Sequence, residues 1–152
     1  MGVIIDSSIW VDVERGRLAP ADVAAITGDE PVYVAPPILA ELEYGVHRAE
    51  TPAQRNRRAS ALARIRRKPC LIVDGETGTT FGRLAADLDS SGKPHTHRVQ
   101  DVWIAALAIQ HNLKVLTQNK QDFSGIPGLQ VLEMPKPKSP RAAKCRDAYP
   151  EP

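Results

Sequence analysis

The sequence predicts an α/β domain of three layers, α/β/α, with helices on both faces of a mainly parallel central sheet. Three observations carry this reading. Val3-Ile4-Ile5 is an apolar run without alternation, as expected of a strand buried on both faces. Similar short runs recur down the chain, separated by helical stretches, and that alternation lays helices over a sheet. The runs also end in polar groups: Asp6-Ser7-Ser8 after the first, Asp74 after Leu71-Ile72-Val73, and Gln118 to Asp122 after Lys114-Val115-Leu116-Thr117. In such folds ligands sit beyond the carboxyl ends of the strands.

The elements follow in order. After Asp6, with Ser7 or Ser8 as its cap, a short helix runs to about Arg15 and breaks near Gly16. Pro20 opens a second helix, about Ala21 to Thr27. Val32-Tyr33-Val34 reads as a second strand, closed by Pro36-Pro37. A third helix runs from Pro37 to about Glu50, with Ile38, Leu42, Val46 and Ala49 as its apolar stripe and Glu41 at the edge of that stripe. Gly45 inside it costs about 1 kcal/mol relative to Ala, which suggests close approach of another backbone or a substrate. Thr51 caps a fourth helix rich in arginine, ended by Pro69. Leu71-Ile72-Val73 reads as a third strand. A fifth helix, about Glu76 to Ser90, buries Phe81, Leu84, Ala85 and Leu88. The next, about Val99 to His111, is apolar nearly all round and therefore central, with Asn112 as its stop. Lys114 to Thr117 and Gln130-Val131-Leu132 are the last strands.

The 152 residues suit one domain with a real core, here residues 1–134, followed by a Pro-, Lys- and Arg-rich tail, 135–152. Apolar residues at 42% and charged residues at 25% are ordinary for a soluble protein, and a net charge of +2 selects no partner by itself. Cys70, expected to be buried, and Cys145 form neither a disulfide framework nor a zinc spacing. With no charged region followed by a long apolar run at the start, and no apolar run long enough to span a bilayer, the expected location is the cytoplasm.

Three acids stand out by position: Asp6 after the first strand, Glu41 beside an apolar stripe, and Asp101 in the first turn of the most buried helix. Asp122 follows the 114–117 strand, with Asn119 three residues before it. Each has an ordinary use as a cap, a solvated helix acid, a partner of the helix dipole or a loop acid. Together they predict a meeting place at one sheet edge. At about 4 Å and an effective dielectric near 20, each pair of carboxylates repels by about 4 kcal/mol, so the cluster needs raised pKa values or a cation. All-oxygen ligands suit Mg²⁺ or Mn²⁺, which polarises a phosphoryl oxygen and activates water.

The chain resembles PIN-domain ribonucleases of the VapC toxin type. The matching stretches are Val3 to Trp10, Ile38 to Gly45, Gln100 to Ala106, Leu116 to Phe123 and Ile126-Pro127-Gly128-Leu129, in order, over about residues 2 to 132. The resemblance implies a PIN-like nuclease domain with Asp6, Glu41 and Asp101 as the acidic core. The fourth position falls on Asn119 or on Asp122; Asp122 is taken as the acid, with Asn119 orienting the site and Ser8 and Thr117 adding hydroxyl contacts near the metal. It further implies a Mg²⁺- or Mn²⁺-dependent endoribonuclease acting on structured RNA such as tRNA, which arrests growth by blocking translation. The implied partners are a second copy of the chain, as a homodimer, and a VapB-like antitoxin whose arginine would pair with the carboxylates. The alternative is a PIN-fold protein whose site has decayed, binding RNA or antitoxin without cleavage; the amide at Asn119 motivates it. A phosphoaspartate enzyme using Asp6 fits poorly, because Ser8 stands where such phosphatases carry a second Asp.

The arginine-rich fourth helix is the expected phosphate-contacting surface, with a solvated face or dimer surface as its ordinary alternative. His95 and His97 lack the partners that zinc needs and read as loop residues or RNA contacts. His47 and His111 read as helix-surface residues, Trp10 and Trp103 as core, and Tyr44 as facing either a dimer partner or substrate.

Overall fold

A computed structural model describes residues 1–137. Four strands, β1 (Val3–Ile5), β2 (Val32–Tyr33), β3 (Lys114–Thr117) and β4 (Gln130–Glu133), form one sheet in the order β2-β1-β3-β4, every pairing parallel. The helices are α1 (Ser7–Glu14), α2 (Pro20–Thr27), α3 (Pro36–His47), α4 (Pro52–Ile65), α5 (Gly75–Ser90) and α6 (Val99–Gln110). Two single 3₁₀ turns, His95–His97 and Lys120–Phe123, flank the site described below.

The strand alternation produces the three layers. Ile4 and Val115 point to one face, where they pack with Ala35 and Ile38 of the α3 region, Leu84 and Leu88 of α5, and the buried length of α6. Val3, Ile5 and Leu116 point to the other, against Ile9 of α1, Leu18 and Val23 of α2. In α6, Val102 and Ile104 through Ala108 are all buried, as its uniform apolarity predicts. Asn112 ends it in the left-handed region, φ 53°, which asparagine tolerates better than most residues. Trp103 is half-buried and stacks on Phe81 with ring centroids 4.1 Å apart, and Trp10 is half-buried between both cores.

Four sequence expectations need correction. Leu71-Ile72-Val73 is not a strand. The segment makes one bridge, Val34 to Cys70, and Leu71 N–H bonds Val34 O at 2.8 Å. Leu71 is buried, but Ile72 and Val73 are 75% and 44% exposed. The chain turns away because Asp74 caps α5, its Oδ1 accepting the Thr77 N–H at 3.0 Å. Cys70, at the foot of that departing segment, is exposed rather than buried. Gly45 leaves open space where a Cβ would stand, so no close approach requires it. The cap of α1 is Asp6, not Ser7 or Ser8. Pro137 closes the described part of the expected tail; residues 138–152, with Cys145, lie outside the described residues.

Candidate active site

The carboxyl ends of β1 and β3 lie side by side, since Ile5 pairs with Leu116, and each releases a polar residue at the same level. Asp6 leaves β1 in extended conformation and caps α1, its Oδ1 accepting the Ser7 N–H at 2.8 Å. Thr117, fully buried at the end of β3, donates its hydroxyl to Asp6 Oδ2 at 2.9 Å, and Ser8 Oγ approaches the same oxygen at 3.5 Å. The Thr117 hydroxyl also accepts the Asn119 N–H at 3.1 Å, which ties the following loop to the same point.

Asp6, Glu41, Asp101 and Asp122 all line one cleft of about 580 Å³, together with Ser8 and Asn119. Four separate elements supply the four acids: the β1–α1 junction, the middle of α3, the first turn of α6 and the second 3₁₀ turn. The electrostatics follow. Burial first, then the carboxylates of Asp122, Asp6 and Glu41, push Asp101 up to about 7, against the opposing pull of Arg98. Burial raises Asp6 despite the hydrogen bonds from Thr117 and Ser7, and Asp122 adds repulsion. Burial raises Glu41, opposed by the Ser7 hydroxyl and assisted by Asp6. Acids that repel one another at a sheet edge are stable when ionised only with a cation between them.

The donor set fits a hard divalent ion. Among the described residues no three His, Cys, Asp or Glu side chains close around a single point. A Mg²⁺-sized ion does not need that, because it keeps several waters and is bound through one or two carboxylates. Asp6, Glu41, Asp101 and Asp122 all line the cleft and supply only oxygen donors.

Several site residues escaped the sequence reading. Arg98 extends its guanidinium to the carbonyls of Gln121 (3.3 Å), Asp122 (3.0 Å) and Ser124 (2.8 Å), holding the turn that carries Asp122. The available signal was a cation at the N-terminus of α6, where the helix dipole disfavours it and only a specific partner explains it. Ser7 and Lys136 also line the cleft. Of the two loop histidines, His97 lines the cleft, whereas His95 pairs with Asp89 at 2.9 Å. His47 and His111 are exposed, and Tyr44 is 66% exposed on α3. The arginines of α4 divide. Arg58 bonds Gly45 O at 2.7 Å, Arg57 faces Glu14 at 3.7 Å, and Arg66, the residue that caps the helix, pairs with Glu43 at 3.0 Å, so these three tether α4 to α3 and α1.

Comparison with known proteins agrees with this fold. The family described as PIN domain matches residues 3–129. Ribonuclease VapC of Rickettsia bellii (strain RML369-C) is 31% identical over 137 residues, 89% of this chain and 98% of that protein. Ribonuclease VapC5 of Mycobacterium tuberculosis (strain ATCC 25618 / H37Rv) is 34% identical over 133 residues, 86% of this chain and 92% of that one. A solved structure of VapBC-5 from Mycobacterium tuberculosis, a toxin-antitoxin system, superposes with a TM-score of 0.71 at 28% identity, covering 88% of this chain and 100% of that one. VapBC2 from Rickettsia felis, bound to a DNA fragment from its promoter, shares the fold with a TM-score of 0.76 at 20% identity, covering 88% and 99%.

Proposed function

This chain belongs to the PIN-domain family, and from that premise we propose that it is a VapC-type toxin: a Mg²⁺- or Mn²⁺-dependent endoribonuclease that hydrolyses phosphodiester bonds of structured RNA such as tRNA. The observation that carries the reading is the convergence of four carboxylates on one cleft, with Asp101 pushed up to about 7. A divalent ion bound there supplies a Lewis acid for the phosphoryl oxygen and lowers the pKa of a bound water.

The chain's own groups divide the remaining work. Asp6, Asp101, Glu41 and Asp122 would hold such an ion, directly or through its waters. Thr117 and the Ser7 N–H fix the Asp6 carboxylate, so its lone pairs are aimed before any ligand arrives. Asn119 presents an uncharged amide at the exposed mouth of the cleft and orients the site. The protein acts in the cytoplasm as a homodimer; among the described residues no helix is long and apolar enough to cross a membrane. A VapB-like antitoxin restrains it, placing an arginine among the carboxylates; bidentate pairing favours that contact.

The test is incubation of purified protein with a tRNA pool in Mn²⁺ or Mg²⁺, with EDTA and an Asp6→Asn variant as controls. Cleavage by the wild type alone, abolished by chelation and by the substitution, is expected. In cells the unaccompanied gene should arrest growth and its neighbouring gene should relieve the arrest. Equal cleavage by Asp6→Asn would end the assignment. Intact RNA that is nonetheless bound would favour the binding-only alternative.

A further inference from the structure

A second cleft of about 500 Å³ opens beside the first and shares Ser7, Ser8, Gln118 and Lys136 with it. The two form one trough with opposite charge at its ends. Four acids line the first part; Arg17, beside the single acid Asp12, lines the second, and Lys136 stands where the two parts join. Arg17 is not a loose surface cation. It faces Asp12 Oδ1 at 3.5 Å, and Asp12 is buried, with its other oxygen accepting Gln118 Nε2 at 2.8 Å. The carbonyl of Asp12 also takes the N–H groups of Arg17 (2.8 Å) and Leu18 (3.2 Å), closing the turn after α1 onto the same residue. Gly16, at φ 71°, makes that turn possible. The Arg17 side chain remains 40% exposed against 12% for Asp12, so one side of the guanidinium is anchored and the rest is open to the cleft.

We propose that this second cleft is a phosphate subsite, in which Arg17 and Lys136 hold the backbone phosphate of the nucleotide next to the one at the acid cleft. Asp12 and Gln118 are positioning residues for Arg17. The inference rests on the RNA-cleavage reading and deepens it. A polyanion drawn past four carboxylates is repelled along its length except at the metal, and a cation further along the same trough offsets that repulsion. A guanidinium fixed on one side presents its remaining donors as a ready fork for a phosphate. The cleft's volume is within the range that encloses small ligands, and its mixed lining, with Val11 and Pro137 beside the cations, leaves apolar surface for the sugar.

The experiment uses the whole chain and a short, fluorescently labelled single-stranded DNA oligonucleotide, kept intact because EDTA withholds the metal that cleavage requires. Its affinity is measured in EDTA between 50 and 200 mM KCl, roughly the range over which phosphate contacts show their salt dependence. Arg17→Gln and Lys136→Gln should each weaken binding about 5-fold and reduce the slope of log K against log salt by about 0.35, half of the roughly 0.7 expected for the one single-strand phosphate that they share. With cleavable RNA and Mn²⁺, Arg17→Gln should raise KM while kcat stays within about twofold. Arg17→Lys should restore part of the slope. Lys136 is exposed, so its variant tests the proposal even if the Arg17 variants unfold. Unchanged slopes, or a loss confined to kcat, would overturn the subsite while wild-type cleavage left the ribonuclease reading standing. A wild type that neither binds nor cleaves RNA would overturn both.

Discussion

The guanidinium of Arg98 donates to the main-chain carbonyl of Asp122 at 3.0 Å, and thereby joins the start of α6 to the turn packed beside it. Asp101 stands three residues into the same helix, so one side chain sets the spacing between two acids from different elements. Arg98→Met removes three charge-assisted bonds, each of a kind worth roughly 1.5–3 kcal/mol. The expected outcome is faster amide exchange confined to residues 119–124 and a cleavage rate lower by about 10- to 100-fold. Arg98→Lys should keep the charge without the fork and recover little. Unchanged exchange in that turn would show that the contacts do not hold it.

The acids should make the metal-free protein less stable as pH rises. Asp101 has an ordinary value of 3.8 and is pushed up to about 7 in the fold, with Asp6 and Glu41 shifted in the same direction. Between those two values the native state holds more protons than the unfolded state, so unfolding free energy falls as pH increases. The melting temperature in EDTA should therefore decline from pH 5 to pH 8. Millimolar Mn²⁺ should restore it at pH 8 and do little at pH 5. A flat profile in EDTA would contradict the crowding.

Asp101→Asn separates stability from activity. It removes a charge that the fold disfavours, so at pH 8 in EDTA the variant should melt a few degrees above the wild type. The same change should lower cleavage by at least about 100-fold, because the amide is a weaker ligand for the ion. Thermal melts and single-turnover cleavage measure the two effects on one sample.

Thr117→Val keeps the shape at the end of β3 and removes the hydroxyl that Asp6 Oδ2 and the Asn119 N–H both use. Leaving buried polar groups unpaired costs about 1–3 kcal/mol. Urea denaturation should show a loss of that size, and the metal concentration for half-maximal cleavage should rise. Thr117→Ser should retain most of both. By contrast, Ile104→Ala in the middle of α6 should cost about 2–5 kcal/mol through cavity formation without changing metal dependence in the molecules that remain folded.

Both ends of the candidate cleft are legible in the sequence because β1 and β3 are signalled by local pattern. Val3-Ile4-Ile5 and Val115-Leu116 are apolar runs that end in polar groups, and the fold puts those ends beside each other. The uniform apolarity of α6 likewise placed Asp101 on the central helix. What local pattern cannot express is competition between neighbouring elements. Leu71-Ile72-Val73 has strand composition, yet Asp74 is committed to capping α5, and the segment leaves the sheet after one bridge. Arg17, Arg98 and Lys136 were hidden for a related reason. A cation's partner can be a carbonyl or a buried acid distant in sequence, and nothing in a charge count distinguishes it from a solvated one.

The contact between Thr117 and Asp6 spans 111 positions, and β1 has no partner at β3's place until the chain is nearly finished. On the ribosome the first strand is made early and waits. Such distant pairing is slow to form, since the intervening chain must be ordered before the contact is gained. A growing polypeptide therefore cannot assemble the acid cleft while it is still attached near its middle, and the ribosome that makes this enzyme is separated in time from what the finished molecule does to RNA.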